Sequence, residues 1–138
     1  MGTAYQDIID FAGVKGELGK VVAGGAMMGP AVENLSYPTT KTTSGLIMLS
    51  EAAAQPPQVN PCIRCGRCVE YCPMGLEPVE VNQAYAARDV QELGKLHVDY
   101  CFNCGSCTFV CPAKRPCTQM MGLAKAFYLG EIKKGGNK

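Results

Sequence analysis

A chain of 138 residues with a formal charge of +1 holds one moderate domain or two very small ones, and a lone core below roughly 70 residues is marginal without a staple. The near-neutral balance carries no basic stripe for nucleic acid, and no apolar run approaches the roughly 18 residues of a membrane span. Nine cysteines, an odd count without a signal-peptide pattern, set aside a disulfide framework and point to metal.

Along the chain, Thr3 is placed to cap a short helix whose apolar positions Tyr5, Ile8, Ile9 and Ala12 fall at helical spacing, with Gly13 as its stop. The glycines that follow, from Gly13 to Gly29, invite a nucleotide-binding reading that their spacing refuses. Five residues separate Gly13 from Gly19 where a Walker loop has four, Val21 follows Lys20, and glycines at 24, 25 and 29 do not make Gly-x-Gly-x-x-Gly. Residues 20–23 read instead as a short strand ending in a glycine turn. Of the adjacent Met27 and Met28, one is expected to pack inward. Pro30 and Pro38 mark a loop, residues 46–49 a second short strand, and 51–54 a single helical turn. Pro56, Pro57 and Pro61 make 55–61 the linker, with one domain at 1–54 and another at 62–138.

The second domain opens on Cys62, Cys65, Cys68 and Cys72 before Pro73, and the same run returns as Cys101, Cys104, Cys107 and Cys111 before Pro112. The offset is 39 positions and also superimposes Gly66 on Gly105, an internal repeat. Cys-x2-Cys-x2-Cys-x3-Cys-Pro is the spacing of bacterial ferredoxin-type iron–sulfur ligation. Three thiolates on a tightly wound stretch can wrap one corner of an inorganic cube, and Gly66 and Gly105 relieve crowding there. The fourth cysteine lies about a helical turn further on, and in two-cluster ferredoxins it serves the other cluster. One [4Fe–4S] cluster is thus expected on Cys62, Cys65, Cys68 and Cys111, and the second on Cys101, Cys104, Cys107 and Cys72. Structural zinc is the alternative, but zinc sites pair two separated hooks and do not call for a third cysteine at the same short interval. The ninth cysteine, Cys117, reads as a small hydrophobe in the last helix; a thiol-redox role for it lacks a resolving partner.

Arg64 and Arg67 within the first run, and Lys114 and Arg115 after the second, place positive charge where it would favour a reduced cluster or simply face solvent. Pro78 suits the first turn of a helix over 79–87, and Val90 and Leu93 belong to a short element that Gly94 ends. The 28 residues between Cys72 and Cys101 are therefore helical, unlike the strand-linked compact ferredoxins. His97 reads as a packed or surface residue. Tyr71, Tyr100, Phe102 and Phe109, beside cysteines, are expected to keep water off the clusters. The last helix carries Met120, Leu123, Ala124, Phe127 and Tyr128 on one face, and 133–138 form a polar tail.

Residues 22–29, Val-Ala-Gly-Gly-Ala-Met-Met-Gly, and 40–45, Thr-Lys-Thr-Thr-Ser-Gly, taken with both cysteine runs, resemble the C-terminal half of RnfC, a component of the Rnf ion-translocating ferredoxin:NAD+ oxidoreductase. The resemblance covers nearly the whole chain and implies an α+β fold: a partial soluble-ligand-binding β-grasp (SLBB-like) segment, then an α-helical ferredoxin domain with two [4Fe–4S] clusters. It also implies a cytoplasmic place peripheral to the plasma membrane. There the chain would relay single electrons between a flavin/NADH-binding module and an iron–sulfur subunit resembling RnfB. Cobalamin-reductase-like and hydrogenase-type subunits share the same pairing of domains, and a zinc-stabilised adaptor is the alternative from another class. Ala26 stands where the family usually has proline. The family also carries an upstream nucleotide- and flavin-binding domain and the opening β-grasp strands, so flavin and NAD binding are not assigned to this chain. The chain then reads as a fragment or a split subunit, with an unpaired sheet edge for a partner to cover.

Overall fold

The computed structural model describes residues 2–135. The chain divides into two compact units, Met1–Pro56 and Pro57–Lys138, and together they give a mixed fold of helices and one small antiparallel sheet.

The first unit begins with α1 (Tyr5–Ala12). Its N-cap is Ala4, which offers no side-chain bond, so the expected Thr3 cap does not form. The loop before Pro38 supplies acceptors instead: the Tyr5 N–H donates to the carbonyl of Tyr37 and that of Gln6 to Leu35, at 3.1 and 3.0 Å. Backbone carbonyls brought in from a distance thus satisfy the orphan donors that a capping side chain would have taken. Gly13 ends the helix in a left-handed conformation, as expected. Strands β1 (Leu18–Ala23) and β2 (Leu46–Ser50) pair antiparallel, Val21 opposite Met48. On its other side β1 takes short contacts from residues 30–32, where the Val32 N–H donates to Val21 at 2.8 Å. Among the described residues no strand pairs the outer edge of β2. The one-turn helix α2 (Glu51–Ala54) follows at once, capped by the Ser50 hydroxyl. Met27 and Met28 are both exposed, so the turn directs neither inward.

The second unit repeats itself well past the cysteines. Helix α3 (Arg67–Glu70) and helix α6 (Ser106–Phe109) are related by the 39-residue offset. So are the starts of α4 (Pro78–Ala86) and α7 (Cys117–Gly135). Positive φ recurs in register at Arg64 and Asn103, at Gly66 and Gly105, and at Gly75 and Lys114. The repeat is therefore of backbone path as well as of ligand type. Between its halves lie α5 (Val90–Lys95), capped by Asp89, and a 3-10 turn at Val98–Tyr100. Gly94 lies inside α5, not after it; a Cβ there would stand 3.0 Å from the Tyr128 hydroxyl, so the glycine lets α7 approach.

The core is Leu76, Val81, Ala84, Leu93, Val98, Met121 and Ala124, with Tyr85, Phe127 and Tyr128 packed at its margin. Helix α7 presents Cys117, Met121, Ala124, Phe127 and Tyr128 inward, while Leu123 is 53% exposed. The expected face holds at Ala124, Phe127 and Tyr128 and fails at Leu123, because Thr118, Gly122 and Gly130 dilute the apolar period. The helix also continues through Lys133 and Lys134 to Gly135, which shortens the expected polar tail; residues 136–138 lie outside the described residues. Leu93→Ala should cost about 2–5 kcal/mol as a buried truncation, read as a lower denaturation midpoint. Leu123→Ala should stay within about 0.5 kcal/mol of the parent; the reverse ranking would mean that α7 is rotated.

Candidate metal centre

All eight cysteines of the repeat lie around two cavities, and each cavity mixes the runs. The first, of about 290 Å³, is lined by Cys62, Cys65, Cys68 and Cys111. The second, of about 20 Å³, is lined by Cys101, Cys104, Cys107 and Cys72. The two are adjacent, since the one-turn helices that carry Cys68 of the first and Cys107 of the second are in contact.

Local chemistry explains the exchange. In each run the third cysteine lies on a one-turn helix entered through a left-handed glycine, Gly66 at φ +77° and Gly105 at +89°, a backbone that glycine adopts without strain. The fourth cysteine comes after that turn and is carried away from its own run. The N–H of Asn60, just before Cys62, donates to the carbonyl of Ala113, just after Cys111, at 2.9 Å. That bond draws the entry of one run to the exit of the other. On the far side, the Lys125 ammonium holds the Cys101 carbonyl at 2.7 Å. Thr108 accepts from the Thr118 N–H at 2.8 Å and so fixes the start of α7 against α6.

Backbone donors already face two of the sulfurs: the Arg64 N–H lies 3.4 Å from Cys62 Sγ and the Leu76 N–H 3.3 Å from Cys72 Sγ. Burial pushes the Cys68 and Cys107 thiols above their usual range, at Cys107 partly offset by Thr118. A metal taken up here must displace protons from these sulfurs.

Four thiols in the lining of one cavity suit a thiolate-held metal group in their chemistry, although among the described residues no three potential ligands are drawn together as a formed metal site. The second ring has the same four-thiol chemistry but is drawn in. Cys101 Sγ faces Asn103 Oδ1 at 3.5 Å, Cys104 faces the Ser106 hydroxyl at 3.4 Å, and Cys107 faces Thr118 at 3.4 Å. These thiols must turn from those oxygens to meet a metal.

Arg64, Arg67 and Arg115 line the first cavity; Lys114 lines neither. Arg64 also stands 3.9 Å from Glu80, an exposed pair of little energetic weight. His97 is at neither ring and stacks on Tyr100 with centroids 5.3 Å apart. Tyr71, Tyr100, Phe102 and Phe109 are each at least half exposed and line neither cavity. They do not shield the sulfurs, since adjacency in sequence to an inward cysteine on so tight a path turns the neighbour outward. Among the lining residues that the sequence did not mark as site residues, two bear on the chemistry. Cys117, read there as a small hydrophobe, is buried, yet it also lines the first cavity. Asn82 lines it too, and extending the 39-residue comparison beyond the prolines would have drawn attention to both.

Residues 61–114 match the 4Fe-4S dicluster domain family, which defines the class of the second unit. Beyond that segment, the chain is similar to the C component of ion-translocating oxidoreductase complexes, as the sequence resemblance to RnfC implied. The component from Rhodobacter capsulatus is 38% identical over 97 residues, 70% of this chain and 19% of the relative. The Clostridium ljungdahlii relative, the C component of a proton-translocating ferredoxin:NAD(+) oxidoreductase complex, is 44% identical over 79 residues, 56% of this chain and 17% of that protein. The Na(+)-translocating counterpart of Acetobacterium woodii is 36% identical over 91 residues, 65% and 20% respectively. The chain spans about a fifth of the length of these relatives.

Burial, with Cys111, Cys107 and Cys68 close by, pushes the Cys117 thiol up to about 12. At pH 8 it is therefore almost wholly protonated and unreactive, since the thiolate is the nucleophile. In metal-free, reduced protein, mass spectrometry of iodoacetamide adducts at pH 8 should find the exposed Cys62 and Cys65 alkylated first and Cys117 last. Early modification of Cys117 would contradict the burial described.

Proposed function

We propose that this chain is an electron-transfer module in which Cys62, Cys65, Cys68 and Cys111 hold one [4Fe–4S] cluster and Cys101, Cys104, Cys107 and Cys72 a second. The observation that carries the reading is the sharing of cysteines between two adjacent rings, three from one run and one from the other in each. When bound, such clusters accept and donate single electrons. The protein's part is to hold them. Short glycine-entered turns present three cysteines, the exchanged fourth ties the halves together, and backbone N–H donors stand beside the sulfurs of Cys62 and Cys72.

The similarity to the C component of ion-translocating complexes supports a place in a membrane-associated, Rnf-like assembly. Electrons would pass between a flavin/NADH-binding module and a ferredoxin-type subunit resembling RnfB. Attachment to the cytoplasmic face of the membrane comes through those partners; among the described residues no helix is long and apolar enough to cross a membrane. Residues 1–54 form the partial SLBB-like β-grasp segment and 55–61 the linker to the helical ferredoxin domain at 62–138. The unpaired outer edge of β2 is the natural place for a further strand from a partner.

Anaerobically purified protein should carry about eight iron and about eight acid-labile sulfide per chain, twice the content of one [4Fe–4S] site, with EPR of the dithionite-reduced protein showing two interacting centres. Zinc without sulfide would end the electron-transfer reading. Cys72→Ser and Cys111→Ser should each lower iron and sulfide by about half, because each removes one ligand from one ring.

A further inference from the structure

The two repeats build one frame around unlike surroundings, and the differences fall at positions paired by the 39-residue offset. Arg64, Arg67 and Arg115 line the first cavity; their counterparts Asn103, Ser106 and Leu76 line the second. Asn82 lines the first, and its buried Oδ1 has no hydrogen-bond partner. A half-turn of that carboxamide presents two N–H donors to the cavity. Its counterpart at the second is Met121, 1% exposed and without a donor. Exposure differs in the same sense: Cys62 and Cys65 are exposed, whereas no thiol of the second ring is.

Other features weigh on the opposite side. Lys125 sits on the Cys101 carbonyl, the Thr118 hydroxyl touches Cys107 Sγ where the first site has Val79, and the Asn103 carboxamide and Ser106 hydroxyl stand beside Cys101 and Cys104. These are neutral groups and one ammonium already engaged with a carbonyl, against three guanidinium groups, a carboxamide and greater exposure. Glu80 near Arg64 offsets only part of that charge.

Resting on the reading that each ring holds a cluster, we propose that Arg64, Arg67, Arg115 and Asn82 make the first site the higher-potential of the two. At equilibrium a single electron then resides at the ring of Cys62, Cys65, Cys68 and Cys111. Reduction adds one negative charge, which cations, N–H donors and water stabilise and which an apolar enclosure disfavours. The four residues are positioning residues: they tune the site without ligating.

The test is an anaerobic redox titration followed by EPR on the full chain, with iron and sulfide measured on the same samples. Wild type should give two waves at least about tenfold apart in reduction equilibrium, 59 mV for a one-electron couple. Asn82→Met and Arg115→Leu, each giving the first site the other repeat's residue, should lower the upper wave and leave the lower one in place. Arg67→Ser, at an exposed position, provides the same comparison if a more buried substitution loses its clusters. Coincident waves, or variants that keep their iron and move only the lower wave or neither, would overturn the ordering while leaving the two-cluster reading intact. Wild-type protein without iron and sulfide would overturn both.

Discussion

The exchange of Cys72 and Cys111 between the two thiol rings is the constraint on which the second unit turns. In each run the third cysteine lies on a glycine-entered turn of helix, and the fourth lines the cavity of the other run. The repeat folds back on itself, with α4 and α7 packed around the shared core of Val81, Leu93, Met121 and Ala124. A small hydrophobic core thus lies beside two cavities lined by cysteines of both runs, and clusters held there, as proposed, would staple a unit of this size.

The first unit depends on a different balance. A two-stranded sheet is marginal by itself, and the buried apolar residues here are few: Tyr5, Ile9 and Val21. What orders the segment is backbone bonding between distant stretches, residues 35–39 to the start of α1 and 30–32 to β1. Gly19 sits at the irregularity in the β1–β2 register, where the backbone of Glu51 comes so close that a Cβ would overlap it. The sheet and the helical turn after it are consequently fixed by one glycine.

The grouping of cysteines around the two cavities was legible in the sequence because inorganic chemistry imposes spacing on its ligands: the repeated spacing already set Cys111 with the first run and Cys72 with the second, as the cavity linings do. Pro78 at the first turn of α4 and residues 51–54 as α2 were legible for local reasons, a fixed φ in one and a Ser50 cap in the other. What escaped was non-local. The Thr3 cap failed because carbonyls from residues 35 and 37 arrived first, and the face of α7 was misjudged because Met121, not Leu123, meets Leu93 and Val98. Gly94 looked like a stop but is a clearance for Tyr128. Asn82 escaped because a carboxamide within an ordinary helical stretch gives no signal until the repeat is carried beyond the prolines.

The central claim is the shared ligation of two clusters, and anomalous diffraction at the iron edge from anaerobically grown crystals tests it most directly. The account predicts two iron-containing peaks, one contacted by Cys62, Cys65, Cys68 and Cys111 and the other by Cys101, Cys104, Cys107 and Cys72. Two peaks each held by the four cysteines of a single run, or a signal at the zinc edge alone, would contradict it.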